Sequence, residues 1–224
     1  AGNLRNTGSI VTAGALSVEA ANVFNTGPLG SSAGEVTITT LGDITNSGLI
    51  YSQRDITLSL DGTLLNDAAD IIAESGITIA GESGARAAAI LNRSANIEAI
   101  TGSIIIAAAL VENSQPVPNI VPEVEVTTVT GSVADFPDVS HPANTYNVVE
   151  TTTVTTMVAE AATNAPARIL AGGDLNIGAN TITNDYSQIA ANGNVTLDAT
   201  TITNTGQDLI QTTVVTTVSH YTQR

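Results

Sequence analysis

An asparagine-centred turn recurs along most of this chain at intervals close to twenty residues. Most neighbouring turns lie 19 to 21 positions apart, and the longer interval after Asn66 contains a small-residue stretch at 81–85 that we expect to form a loop. A fixed period of this length indicates stacked structural repeats, each of which covers its neighbour. The recurring asparagines, which we predict to stack as a turn ladder, are Asn6, Asn25, Asn46, Asn66, Asn92, Asn113, Asn184 and Asn204.

Within each interval, apolar residues alternate with polar ones in pieces of three to five residues, for example Ile56, Leu58 and Leu60. This alternation predicts short strands with one buried face. Hairpins would give variable spacing, whereas a constant period favours a β-solenoid with parallel strands about 4.8 Å apart. We expect apolar ladders inside, and Asn and Gly at corners that need a left-handed backbone. The alternative is that Asn-Thr-Gly only reflects common turn chemistry.

Several segments resemble the haemagglutinin-repeat region of two-partner-secretion exoproteins, the family of filamentous haemagglutinin and of the contact-dependent growth inhibition protein CdiA. They include residues 89–99 (AILNRSANIEA), 167–175 (ARILAGGDL) and 184–191 (NDYSQIAA), and the resemblance covers residues 1–113 and about 165–209. It implies an all-β, right-handed parallel β-helix filament. It also implies export through an outer-membrane transporter partner and display on a Gram-negative cell.

The repeat stops for about fifty residues, and the composition changes with it. Six of the seven prolines lie between Pro116 and Pro166, and neither Lys nor Arg occurs from 94 to 167. Two Val/Thr-rich runs, 124–130 and 148–158, predict a β-hairpin outside the solenoid; the alternative is a disordered linker. A third run, 210–218, either joins that sheet or begins a second segment outside the solenoid. The expected division is coils at 1–113, the insertion at 114–165, coils at 166–209 and a Thr/Val strand at 210–224.

The charge balance excludes several classes of function. Six Arg and no Lys stand against 21 Asp and Glu, which gives a net charge of −15 at pH 7. Phosphate backbones and anionic membranes require clustered cations, so we expect neither as a partner.

The absence of Cys excludes disulfides and thiolate metal ligands. The start of the chain has neither Met nor a signal segment, so we expect a piece of a longer protein.

No arrangement of side chains predicts catalysis or a cofactor. His141 and His220 have no acidic or Cys partner at metal-ligand spacing. The aspartates of the last coils favour turn capping over calcium binding; they are Asp174, Asp185, Asp198 and Asp208. The one compact acidic group, Asp67, Asp70 and Glu74, is explained by turns. Thr-x-Thr motifs at 37–39, 181–183 and 201–203 are like those of ice-binding solenoids, but no flat threonine array runs the length of the chain.

We therefore expect a structural stalk segment of a secreted cell-surface filament, acting as a monomer and projecting a distal receptor-binding or toxin module. An adhesive role for the segment itself is the alternative, and a polysaccharide-processing β-helix enzyme is a weaker one. The expected partners are the transporter and an unidentified target-cell receptor, and no metal or cofactor is expected. Phe136 and Tyr146, near the hairpin tip, are the predicted partner contacts.

Overall fold

The structure, a computed structural model, describes residues 2–116, 120–134, 145–159, 165–206 and 211–222. These residues form two units. The first comprises residues 1–117 and 163–207, and the second comprises 118–162 and 208–224.

The first unit is a parallel β-helix in which each coil contributes three short strands. The strands of the first four coils are short because Gly, Asn and Asp turns interrupt each alternating run after three to five residues. The strands of the first four coils are β1 (Leu4–Asn6), β2 (Ile10–Thr12), β3 (Leu16–Ala20), β4 (Val23–Asn25), β5 (Pro28–Ser31), β6 (Val36–Thr40), β7 (Ile44–Asn46), β8 (Leu49–Ser52), β9 (Ile56–Leu60), β10 (Thr63–Asp67), β11 (Asp70–Ala73) and β12 (Ile77–Ala80).

From the fifth coil onward, some strands run through a corner without a break. Ala107, Ala108 and Ala109 occupy the first such bend, where small side chains let the backbone turn and stay paired. A short 3-10 turn, Glu82–Gly84, lies in the predicted loop at 81–85. The remaining strands of this unit are β13 (Ala87–Arg93), β14 (Asn96–Ala99), β15 (Ile104–Ser114), β18 (Arg168–Ala171), β19 (Leu175–Asp185), β20 (Gln188–Ala191) and β21 (Val195–Thr205).

Parallel pairing connects each strand to its equivalent one coil on. The middle strands of the coils form a seven-stranded sheet, in the order β2-β5-β8-β11-β14-β18-β20. The first and third strands of the coils join into one twelve-stranded sheet because β15 belongs to both sets. In these pairs, equivalent residues of successive coils lie side by side. Each coil therefore repeats the inward and outward alternation of the coil before it.

The core consists of stacked apolar ladders enclosed by these strands. One ladder on the seven-stranded sheet passes through Leu29, Ile50, Ile71, Ile97 and Ile169, all with 0% exposure. Burying each such side chain contributes about 1.5–3 kcal/mol. The predicted parallel β-helix is confirmed, and its core is built from the residues that alternate inward along each strand.

The second unit contains an antiparallel three-stranded sheet. Strands β16 (Ile120–Ala134) and β17 (Thr145–Ala159) pair as the predicted hairpin, and β22 (Gln211–Thr222) pairs with β17. The sheet order is β16-β17-β22. Threonines are register partners across all three strands, for example Thr127, Thr152 and Thr216, and Thr is a residue type that favours sheets. The third Val/Thr run thus joins the sheet of the insertion.

Candidate functional site

The most extensive polar arrangement in the first unit is the column of stacked asparagines. The side-chain Nδ2 of each asparagine donates to Oδ1 of the next, at 2.7–2.9 Å, over the whole run from Asn6 to Asn204. The five central members have 0% exposure. Asn113 and Asn184 are neighbours in this column although 71 residues separate them in sequence. The column therefore continues across the insertion.

Each side-chain amide from Asn6 to Asn184 also donates to a backbone carbonyl oxygen. Asn66 Nδ2 donates to the carbonyl oxygen of Asn96 at 3.0 Å, and Asn92 Nδ2 donates to that of Arg168 at 3.0 Å. These carbonyls belong to the seven-stranded sheet, so the amides fasten one sheet to the other at this corner. An unsatisfied amide in such a dry position would cost about 1–3 kcal/mol.

The backbone at this corner differs from the expectation of left-handed Asn and Gly residues. The left-handed positions at this corner are Ala68, Ser94 and Tyr186, with φ of 47°, 47° and 50°, whereas left-handed Ser83 and Gly84 lie in the loop at 81–85. Gly27 and Gly48, two residues after their asparagines, are not left-handed. A Cβ at Gly48 would lie 2.6 Å from the carbonyl carbon of Thr26. Glycine is needed there because adjacent coils approach closely, and the expected conformational reason was wrong.

An ion pair lies on the outer side of the same corner. Arg93 Nε and Glu112 Oε1 are 2.9 Å apart, and Ser114 also donates to Glu112. The hydrogen bond to Glu112 raises the pKa of Arg93. Partial burial raises the pKa of Glu112, but the hydrogen bonds from Arg93 and Ser114 together with the positive charge outweigh it, and the pKa lies below its ordinary value.

Aspartates at other corners cap the backbone of the next coil. Asp174 Oδ1 accepts the backbone N–H of Asn194 at 2.7 Å, and Asp55 Oδ1 accepts that of Gly76 at 2.7 Å. Asp208 lies outside the described residues. No group of three His, Cys, Asp or Glu side chains within the described ranges is arranged to hold a metal ion.

The acidic residues considered for catalysis are not gathered around a cleft. Asp70 Oδ1 accepts a hydrogen bond from Asn96 Nδ2 at 2.8 Å, and Asp67 lies on the ladder beside Arg93.

The Thr-x-Thr motif at 37–39 lies in β6, on a different side of the coil from the motifs at 181–183 and 201–203, which stack on each other. His141 lies outside the described residues, and only the backbone of His220 is described.

The predicted contact residues lie in the second unit. Phe136 falls outside the described residues, whereas Tyr146 is in β17 and pairs with Val133 and Thr222, its side chain being undescribed. In the edge strand β16, Val124 and Val126 are 55% and 57% exposed. Nothing in the sequence distinguished these two valines from the other members of the Val/Thr runs.

No helix among the described residues is both long and apolar enough to cross a bilayer. Comparison with curated proteins and with solved structures gave no match. The family model described as haemagglutinin repeat matches residues 1–48, 31–131 and 143–219, which is most of the chain. Proteins with this repeat are structural and adhesive, secreted or cell-surface proteins of Gram-negative bacteria, and typically substrates of two-partner secretion. With its stacked coils and asparagine column, the chain belongs to the haemagglutinin-repeat family of filamentous haemagglutinin-type, adhesin-like proteins.

Proposed function

We propose that this chain is a stalk segment of a secreted cell-surface filament and projects a distal receptor-binding or toxin module. The observation that carries the proposal is the continuous asparagine column, which passes from Asn113 to Asn184 without a gap. In stacked-repeat proteins each repeat is stabilised by its neighbours, so an uninterrupted column gives stiffness along the axis. Such a role needs length and resistance to unfolding, and it needs no active site.

The proposed partners follow from the family. The full-length protein would leave the cell through an outer-membrane transporter of the two-partner-secretion type and meet a receptor on a target cell. The lack of Cys suits a chain that crosses membranes unfolded. Whether the parent is a CdiA-type toxin carrier or an adhesin can be decided by reading the gene beyond Arg224. A variable nuclease or pore-forming module there would support toxin delivery.

Single-molecule pulling tests the stalk. The chain has no Cys, so Asn3→Cys and Gly206→Cys supply unique handles at exposed positions in the first and last coils. We expect stepwise unfolding in which each step releases one or a few coils, about twenty residues each, because neighbouring coils stabilise one another. Featureless extension at low force would contradict the stalk function.

A second candidate function, adhesion by the insertion, is favoured by the exposed valines of β16. We propose segment 114–165 together with 210–224 as the contact element, with Phe136 and Tyr146 as candidate contact residues. Cells that display the chain without residues 116–164, joined by a short Gly-Ser linker, would adhere less than cells that display the full chain. Equal adhesion would remove the insertion from consideration.

A further inference from the structure

Strand β16 forms one edge of the three-stranded sheet in the second unit. It pairs with β17 on one side, and no described strand pairs with its other side. The strand is 15 residues long, so a long row of backbone N–H and C=O groups is unpaired along that free side. An edge of this kind is a template on which an extended chain can add a further strand.

The free edge lacks most of the features by which proteins protect edge strands. Such edges are commonly blocked by proline, by lysine, by a bulge or by the shortness of the strand. From Glu123 to Ala134 the strand contains neither Pro nor Lys. Its pairing with β17 runs without interruption from Ile120 to Ala134, so no bulge twists the edge away. Pro122 has no N–H to donate, and the edge available for pairing therefore runs from 123 to 134.

Both faces of the strand are open over residues 124–127. Val124 and Val126, which share one face, are 55% and 57% exposed, and Glu125 and Thr127 on the other face are also exposed. Strand alternation explains this division, because successive residues point to opposite faces. A strand added at this edge would therefore extend an apolar, β-branched row on one face and a polar row containing a carboxylate on the other.

The charges of the sheet indicate which partner fits the edge. Glu123 and Glu125 lie two residues apart in β16, whereas the three strands contain no Lys or Arg and the opposite edge strand, β22, contains no acidic residue. Like charges at opposed positions destabilise neighbouring strands, and opposite charges stabilise them. A second copy that paired through residues 123–127 would bring these carboxylates together, and the net charge of −15 also opposes it. The partner that fits is cationic.

We propose that β16 binds an extended segment of a partner protein in which Lys or Arg alternates with a β-branched apolar residue. The segment adds antiparallel to β16, which is the more stable orientation of pairing. Its basic residues oppose positions 123 and 125, and its apolar residues extend the row of Val124 and Val126. Main-chain hydrogen bonds to the free edge supply affinity, and the alternating side chains supply specificity.

Fluorescence anisotropy on the full chain tests the proposal with a labelled peptide in which Lys and Val alternate. We expect saturable binding, and Glu125→Lys should weaken it roughly tenfold, because a pair of opposite charges becomes a pair of like charges. The same variant should bind a peptide of alternating Glu and Val more tightly than the unchanged chain does. Glu19→Lys is the matched control, since it makes the same change of charge at an exposed strand position of the first unit and should leave binding unchanged.

Two N-methylated peptides distinguish strand addition from simple attraction between charges. One is methylated at the Lys nitrogens and the other at the Val nitrogens, so each lacks the N–H groups of one edge. Only one of the two should lose binding, because a single edge of the peptide meets β16. Circular dichroism establishes that each protein variant is folded. The proposal is wrong if the unmodified peptide does not bind, if both methylated peptides behave alike, or if Glu125→Lys and Glu19→Lys weaken binding equally.

The proposal deepens the second candidate function, adhesion by the insertion, and rests on it, yet the two fail separately. If deletion of residues 116–164 reduces adhesion but the peptide does not bind, the contact lies elsewhere in the insertion and the role of the edge is wrong. If the peptide binds as expected but the deletion leaves adhesion unchanged, adhesion is removed and the peptide-binding edge is supported. Sedimentation that shows dimers of the chain, lost in Glu125→Lys, would make a second copy the occupant and overturn the proposal.

Discussion

Each central asparagine of the column depends on both neighbours for its hydrogen bonds. Asn66 accepts from Asn46 at 2.8 Å and donates to Asn92 at 2.9 Å, and its exposure is 0%. Burial without partners would be unfavourable for an amide, so the column is stable only as a continuous series. Continuity explains why the asparagine persists even where the flanking turn sequence varies.

Asn66→Ala should lower the free energy of unfolding by about 2–5 kcal/mol. The substitution leaves Asn46 without its acceptor and Asn92 without its donor, both in a buried setting. Urea denaturation followed by circular dichroism measures the loss. Asn204→Ala is the matched control, because Asn204 is exposed at the end of the column and should cost less than about 1 kcal/mol. Equal losses would contradict a special role for the buried members.

Gly48 and Ala68, which each lie two residues after an asparagine of the column, should change stability in opposite directions when they are substituted. Gly48→Ala should destabilise the chain by more than about 1 kcal/mol, because the new methyl group would overlap the backbone of Thr26 and Gly27. Ala68→Gly should be neutral or stabilising by up to about 1 kcal/mol, since it relieves a left-handed non-glycine residue. Thermal unfolding of both variants compares them. A stabilised Gly48→Ala would show that glycine is not required for close stacking.

The Arg93–Glu112 pair should make a small contribution that depends on pH. The pKa of Glu112 is lowered in the folded state, so its contribution is present above the ordinary value of 4.5 and disappears as the pH falls through the folded value. Glu112→Gln should cost less than about 1 kcal/mol at pH 7, because both side chains are partly exposed. At pH 3 the difference in urea midpoint between the two proteins should shrink. A constant difference would mean that the charge is irrelevant.

At the scale of the strand, alternation decides which substitutions the solenoid tolerates. Adjacent residues of β15 have opposite environments, since Ile106 is 1% exposed and Ile105 is 48% exposed. Ile106 stacks between Ile79 and Ile177, whereas Ile105 faces outward. A shift of one residue along the strand therefore moves a side chain from the core to the surface.

Ile106→Asp should destabilise the chain by more than about 4 kcal/mol and unfold neighbouring coils, because a carboxylate would be buried among apolar ladders without a partner. Ile105→Asp changes the same residue type to the same charge at the surface and should change stability by less than about 1 kcal/mol. Circular dichroism and urea denaturation of both variants measure the contrast. Similar stabilities would contradict the inward orientation of Ile106.

For the whole molecule, the two units differ in what holds them together. The solenoid keeps its core through stacked coils and the asparagine column, and the column bypasses the insertion through the Asn113–Asn184 hydrogen bond. The second unit is one antiparallel sheet whose third strand comes from the end of the chain. The coils before and after the insertion in sequence therefore pair directly with each other.

Deletion of residues 116–164, with a short Gly-Ser linker, should leave the solenoid folded with a melting temperature within about 4 °C of the full chain, a change of roughly 1 kcal/mol. The physical reason is that the ladders flanking the deletion already stack directly. Differential scanning calorimetry compares the two chains. Loss of the cooperative transition would show that the insertion belongs to the core.

Local pattern was enough to predict the stacked coils, their inward residues, the asparagine column and the extra hairpin. Alternation and turn chemistry are local, so Ile56, Leu58 and Leu60 indicate a buried strand face without reference to any distant residue. The haemagglutinin-repeat resemblance depended on the same local segments.

Other features depend on how unequal coils stack. Only the fold joins two strand ladders into one sheet, pairs β22 with β17, and places the left-handed corners at Ala68, Ser94 and Tyr186. Tertiary structure likewise aligns Asp70, Asn96 and Arg168 into one outward row, although the insertion separates the last two in sequence. The physical reason is that strand alternation sets which way a side chain points, whereas coil-to-coil register sets which distant side chains become neighbours.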